Sequence, residues 1–202
     1  MSTVKIKICG LRRREDIEAV NEVLPEYVGF VFAQSRRQID ANTAAGLKKL
    51  LDKRIKTVGV FVNQSIDFIT GFYKSGVIDL VQLHGEEDGE YIARLRNACG
   101  CGIIKSVSIA DTLPVLPQEA DYLLFDTASD QRGGAGVSFN WDVLENYTGK
   151  SYFLAGGLVI ENVTAAVQKL HPFCVDVSSG VETDGFKDPN KIIRFVQTVR
   201  RI

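Results

Sequence analysis

"VKIKICGLRRRED", residues Val4 to Asp16, joins a strand to the start of a helix with almost nothing between them. Val4, Ile6 and Ile8 alternate with Lys5, Lys7 and Cys9, the period-2 pattern of a β-strand with two unlike faces. After Gly10 the chain turns basic and polar, then takes helical spacing over "RREDIEAVNEVL". If Val4, Ile6 and Ile8 face the helix that follows, Lys5, Lys7 and Cys9 face the other way, into an interior. The thiol then sits at the strand's C-terminal end with a lysine beside it.

The same strand-then-helix unit recurs along the chain. Strand-like runs fall at about 4–9, 27–33, 56–62, 80–84, 102–108, 122–126, 151–155 and 173–178. Helical runs follow them: "NTAAGLKKLLDKR", "SIDFITGFYKSG", "DGEYIARLRNACG", a segment near 111–118, "NWDVLENY", "IENVTAAVQKL" and "DPNKIIRFVQTVRRI". Asp88, and Asp188 followed by Pro189, are helix start signals. Pro114 and Pro117 predict a short or irregular fifth helix. No Pro/Gly/Ser linker divides the chain. Eight such units predict an α/β fold, a (β/α)8 TIM barrel formed as a single domain over residues 1–202, small for the fold and with short loops. The rival is a doubly wound open sheet. Against it, the first strand lacks a G-x-G-x-x-G turn, and eight successive units are many for such a sheet.

Composition narrows the function classes. At 202 residues and 45% hydrophobic content, the chain can bury a sizeable core. A net charge of −1, from 24 basic and 25 acidic residues, argues against nucleic acid or an anionic membrane as partner. No apolar run approaches the roughly 20 residues that span a bilayer. The first residues lack a signal-peptide apolar block, so a cytoplasmic protein is expected. Four cysteines in a chain of this length do not make a disulfide framework.

In a parallel barrel, sites gather at the C-terminal ends of the strands. Alternation there turns Cys9, Gln82, His84, Asp126, Asp176 and Ser178 inward. A strand-end cysteine is commonly a packed small hydrophobe, but Lys7 beside it favours the thiolate. Asp126 leads into a loop and not directly into a helix, which sets it apart from a helix cap. His84, before Gly85, either satisfies a loop backbone or serves the site. Cys99 and Cys101 flank Gly100 without further ligands, so no metal site is expected. His171 before Pro172 is a helix-end residue. "AGGL" after strand 7, with Gly156 and Gly157, and "SSGVETDG" after strand 8, with Ser178, Ser179 and Gly180, predict a phosphate site. "RGGAG", Arg132 to Gly136, is either a lid or a loose loop.

Taken together, "KICGL", "VGFVFA", "GVFVN", "VQLHGEE", "LLFDT", "GGAG", "LAGGL", "ENV" and "VDVSSGVE" resemble the phosphoribosylanthranilate isomerase family of tryptophan biosynthesis. The likeness runs from residue 5 to about residue 188, in motif order and at barrel spacing. It departs at Ile160, where the family often has Pro, at Asn140, where it has Asp, and in the loop leading into "SRR". The resemblance implies a cofactor-free Amadori rearrangement of N-(5-phosphoribosyl)anthranilate to 1-(o-carboxyphenylamino)-1-deoxyribulose 5-phosphate. It implies Cys9 as general base, Asp126 as general acid and Arg37 as the partner of the anthranilate carboxylate. Asp176 then lies near the sugar, Gln82 and His84 bind substrate, and the "AGG" and "VDVSSG" loops hold the phosphate. The imine formed on ring opening is itself the electron sink, so no metal is called for.

Three other readings compete. A histidine-pathway sugar isomerase shares the reaction type but resembles an aspartate pair where Cys9 and Asp126 stand. Indole-glycerol phosphate synthase resembles a lysine-rich catalytic set. A non-catalytic phosphate-ligand binder has no need of both Cys9 and Asp126. The expected partner is one phosphorylated small molecule, with the chain a monomer or homodimer.

Overall fold

The computed structural model describes residues 4–127 and 140–202. Eight parallel strands close into a barrel in chain order: β1 (Lys5–Cys9), β2 (Tyr27–Val31), β3 (Lys56–Phe61), β4 (Leu80–Leu83), β5 (Gly102–Ile109), β6 (Tyr122–Thr127), β7 (Tyr152–Leu154) and β8 (Cys174–Val177). The β1–β8 pairing closes the ring and sets Lys7 opposite Asp176. The open-sheet alternative is therefore excluded. Six α-helices occur among the described residues: α1 (Arg14–Val23), α2 (Ala41–Leu50), α3 (Ile66–Lys74), α4 (Gly89–Cys99), α5 (Val163–Leu170) and α6 (Pro189–Arg200). Asp40, Ser65, Asp88 and Asp188 each accept a backbone N–H of the first turn, so these helices start on side-chain caps. His171 ends α5 in the left-handed region.

Two expected helices differ. Residues 111–118 form no helix. Pro114 and Pro117 remove two N–H donors there, and Val115, almost fully exposed, offers no apolar face to bury. "NWDVLENY" forms only a 3₁₀ turn, Trp141–Leu144, in which Leu144 alone is buried. Asn140 caps that turn through Asp142 N–H, as the family's aspartate could. "RGGAG" lies outside the described residues.

Alternation along the strands makes two cores. Ile6, Ile8, Val28, Phe30, Val81, Leu83, Phe125 and Val175 pack outward against the helices. Tyr27, Val58, Leu80, Ile104, Leu124, Phe153 and Cys174 fill the barrel itself. Each such aliphatic or aromatic side chain contributes about 1.5–3 kcal/mol by leaving water. This apolar plug leaves the cavity at the C-terminal ends of the strands for polar side chains. No helix of the described residues is long and apolar enough to cross a membrane.

Candidate active site

A cavity of about 540 Å³ opens at those strand ends, lined among others by Cys9, Arg37, Gln82, His84, Asp126 and Asp176. Six residues expected from the inward pattern and the family likeness thus meet in one space. Cys9 ends β1, and Gly29 of β2 makes room for it. A Cβ on Gly29 would stand 2.6 Å from the Cys9 sulfur, closer than any packed carbon sits.

Lys7, completely buried beneath the cavity, donates to Asp176 Oδ2 at 2.8 Å and to Gln82 Oε1 at 2.9 Å. Burial opposes its charge, but attraction to Asp176 and Cys9 outweighs that and raises its pKa, so the ammonium persists. Asp176 is pushed up by burial, which exceeds the opposing pull of Lys7. Its second oxygen, Oδ1, has no hydrogen-bond partner among the described residues. Such an atom is expensive to leave unmet, and a ligand hydroxyl can meet it.

The Cys9 thiol is raised above its ordinary value. Burial is the largest cause, and the attraction of Lys7 and Lys187 only partly offsets it. The residue keeps some exposed surface, but its crowded sulfur is poorly hydrated, and the direction follows the crowding. Lys7 does favour the thiolate, as its place beside Cys9 led us to expect, but desolvation outweighs it.

Gln82 continues the chain to His84, with Nε2 3.1 Å from Nδ1, and His84 Nε2 stands 3.6 Å from Asp126 Oδ2. Asp126 Oδ1 accepts the Thr127 N–H at 2.8 Å, which fixes that oxygen and leaves Oδ2 towards His84. Arg37 gives Nε and Nη2 to Glu182 at 2.6 and 2.9 Å. Arg36 reaches the same carboxylate at 3.0 Å but is 60% exposed. Lys187 also donates to Glu182, at 2.7 Å. Burial works to raise Glu182, but these cations hold it at about 2. Sequence reading missed Glu182 and Lys187. They belong to a hairpin, β9 (Glu182–Thr183) and β10 (Phe186–Lys187), turned at Asp184-Gly185, and Asp-Gly is the local signal that could have found it.

The loops after β7 and β8 meet at the cavity's edge. Gly156 and Gly157 take positive φ, and the N–H groups of Gly156, Gly157 and Ser179 bond to no carbonyl of the described residues. Ser178 lines the cavity, but its hydroxyl donates to the Cys9 carbonyl at 3.0 Å and accepts from Lys187 at 3.2 Å. Gly180 is not part of the lining; a Cβ there would overlap the Leu158 carbonyl oxygen, so this glycine lets the two loops touch. Cys99 and Cys101 lie together at the end of α4, away from the cavity, and no cluster of three or more His, Cys, Asp or Glu among the described residues can hold a metal.

Groups able to give and take protons thus face one cavity, beside two loops whose N–H donors meet no carbonyl among the described residues. This defines a (β/α)8-barrel enzyme that moves protons on a single bound small molecule. A family model described as N-(5'phosphoribosyl)anthranilate (PRA) isomerase matches residues 6–198. An N-(5'-phosphoribosyl)anthranilate isomerase of Endomicrobium trichonymphae is 50% identical over 199 residues, covering 98% of this chain and 99% of its own. Phosphoribosyl anthranilate isomerase from Thermotoga maritima superposes with a TM-score of 0.85 at 32% identity, covering 98% of this chain and all of its own. A phosphoribosyl anthranilate isomerase in complex with reduced 1-(o-carboxyphenylamino)-1-deoxyribulose 5-phosphate gives a TM-score of 0.82 at 31% identity, with coverage of 98% and 100%. The chain belongs to the N-(5'-phosphoribosyl)anthranilate isomerase family, isomerases of tryptophan biosynthesis.

Proposed function

We propose that Cys9 is the general base and Asp126 the general acid of the Amadori rearrangement of N-(5-phosphoribosyl)anthranilate. The observation that carries this is their convergence on one cavity from β1 and β6, three strands apart around the barrel. Asp126 gives its proton to the furanose ring oxygen as the C1′–O bond breaks, leaving a Schiff base. The Cys9 thiolate then removes the C2′ proton, and the released pair flows to the imine nitrogen, giving an enolamine. Tautomerisation yields the ketone, 1-(o-carboxyphenylamino)-1-deoxyribulose 5-phosphate. The thiol acts as a base and forms no bond to carbon.

The remaining side chains hold the substrate. Asp176 Oδ1 accepts a sugar hydroxyl. Arg37, whose Nη1 is uncommitted among the described residues, meets the anthranilate carboxylate. The N–H groups of Gly156, Gly157 and Ser179 take the phosphate, with Ser178 at its edge and Gly180 holding the loops together. Gln82 and His84 complete the wall beside Asp126. The complex of a related enzyme with a reduced, phosphorylated product analogue supports a phosphorylated small molecule as ligand. Four free cysteines and a biosynthetic role favour the cytoplasm. The Thermotoga maritima enzyme is dimeric, which favours the homodimer over the monomer here.

The purified protein is to be assayed with substrate generated in situ, followed by the loss of anthranilate-type fluorescence. Wild type consumes it, and Asp126→Asn falls by about 10²-fold or more while remaining folded. A folded wild type that binds the substrate without converting it would mean a binding barrel and not an isomerase.

A further inference from the structure

Lysine has hydrogen-bond donors and no acceptor, so Lys7 can meet only the oxygen of the Gln82 amide. The amide nitrogen must then face His84, and it can only donate to Nδ1. That leaves Nδ1 unprotonated and puts the ring proton on Nε2, the atom 3.6 Å from Asp126 Oδ2. Normally the amide orientation and the histidine tautomer are both open choices. Here a completely buried lysine, itself anchored by Asp176, fixes the first, and the first fixes the second.

We infer that Gln82 is a positioning residue that holds His84 as the neutral Nε2–H tautomer, aimed at the acid Asp126. This rests on the assignment of Asp126 proposed above and adds the device that governs it. An imidazolium beside Asp126 would strongly favour the carboxylate and strip the acid of its proton. A neutral N–H favours the carboxylate far less, so the acid form stays accessible. Once the proton has gone to the sugar, the same N–H closes on Oδ2 and steadies the new charge; such contacts commonly stand long in the unliganded state and shorten with substrate.

Charged and titratable groups face His84 from two sides. The cavity side presents Asp126 of β6, Asp176 of β8, Cys9 of β1 and Arg37, with Val60 and Val62 from the β3 side. A second cavity on the other side of the ring presents Glu86, Glu87, Lys105 and Glu119. Of these, Lys105 and Glu87 are already paired at 2.8 Å. Among the described residues, the group that meets Nδ1 directly is the Gln82 amide donor.

The chain has only two histidines, so untagged, nitrogen-15-labelled protein carrying His171→Asn leaves one ring to observe. Asparagine tolerates the left-handed conformation found at that position. At neutral pH the expected spectrum has a pyridine-type Nδ1 and a protonated, pyrrole-type Nε2. In Gln82→Glu the new carboxylate accepts from Nδ1, both ring nitrogens become protonated, and kcat falls about tenfold with a smaller change in KM, a lesser loss than removal of a proton-transfer group itself. A ring protonated on Nδ1 in the unsubstituted site, or a Gln82→Glu ring identical to it, overturns the inference. The Gln82-containing spectrum decides the tautomer even if the Glu variant does not fold. The ring spectrum is read without turnover, so it stands or falls separately from the effect of Asp126→Asn.

Discussion

Arg37 holds a loop in place and, in the mechanism proposed above, also meets the ligand. Two of its nitrogens hold Glu182, and through Glu182 they meet Lys187. Loss of a charge-assisted contact to the anthranilate carboxylate costs about 1.5–3 kcal/mol. Arg37→Ala should therefore lower kcat/KM by that amount on the natural substrate and by much less on an analogue without the carboxylate. Arg36, which is mostly exposed, should give a small effect on both. Steady-state kinetics of both variants decides; equal losses on the two substrates would mean that Arg37 supports the loop and does not read the carboxylate. At this scale the sequence was informative where alternation applies. Cys9, Gln82, His84, Asp126 and Asp176 could be turned inward by counting in twos. The pairing of Lys7 could not, because its partners come from β4 and β8, and whether its pull on Cys9 prevails depends on burial that no single strand reveals.

At the level of elements, the site depends on how closely β1 and β2 approach. Gly29 pairs with Cys9 in register and carries no side chain where the sulfur lies. Gly29→Ala should displace the thiol, lowering kcat more than KM, while circular dichroism still reports a barrel. Unchanged turnover would show that the sulfur's position is not critical. All eight strands were legible from β-branched and aromatic runs, and two helix starts from Asp88 and Asp188, which do cap. The segment at 111–118 was overread, since the βα rhythm of the rest suggested a helix that two prolines forbid. The hairpin around Asp184-Gly185 was passed over, although it carries Glu182 and Lys187 to the cavity's edge.

For the whole molecule, barrel closure brings β8 and its hairpin against β1 and the loop after β2. The Glu182 network ties these ends together. Glu182 is held at about 2 against an ordinary 4.5, so its folded pKa is depressed. The stability it gives is present above about pH 4.5 and is lost as pH falls towards 2; the full shift corresponds to about 3 kcal/mol. Urea unfolding of wild type and Glu182→Gln should differ most near neutral pH and converge in acid. A difference independent of pH would assign the effect to packing. If residues 1–202 form one domain, fluorescence and circular dichroism should trace one coincident transition. Barrel order was readable from the count of units, but which distant residues closure joins was not.

The proposed mechanism stands on Cys9 as the base. Its raised thiol requires kcat/KM to climb with pH through the alkaline range, because only the thiolate can take the C2′ proton. Turnover of wild type and Cys9→Ala, measured across that range on the substrate made in situ, tests this directly. The prediction is a folded variant slower by about 10²-fold or more that has lost the alkaline rise. A Cys9→Ala enzyme with near wild-type turnover and the same pH profile would contradict it.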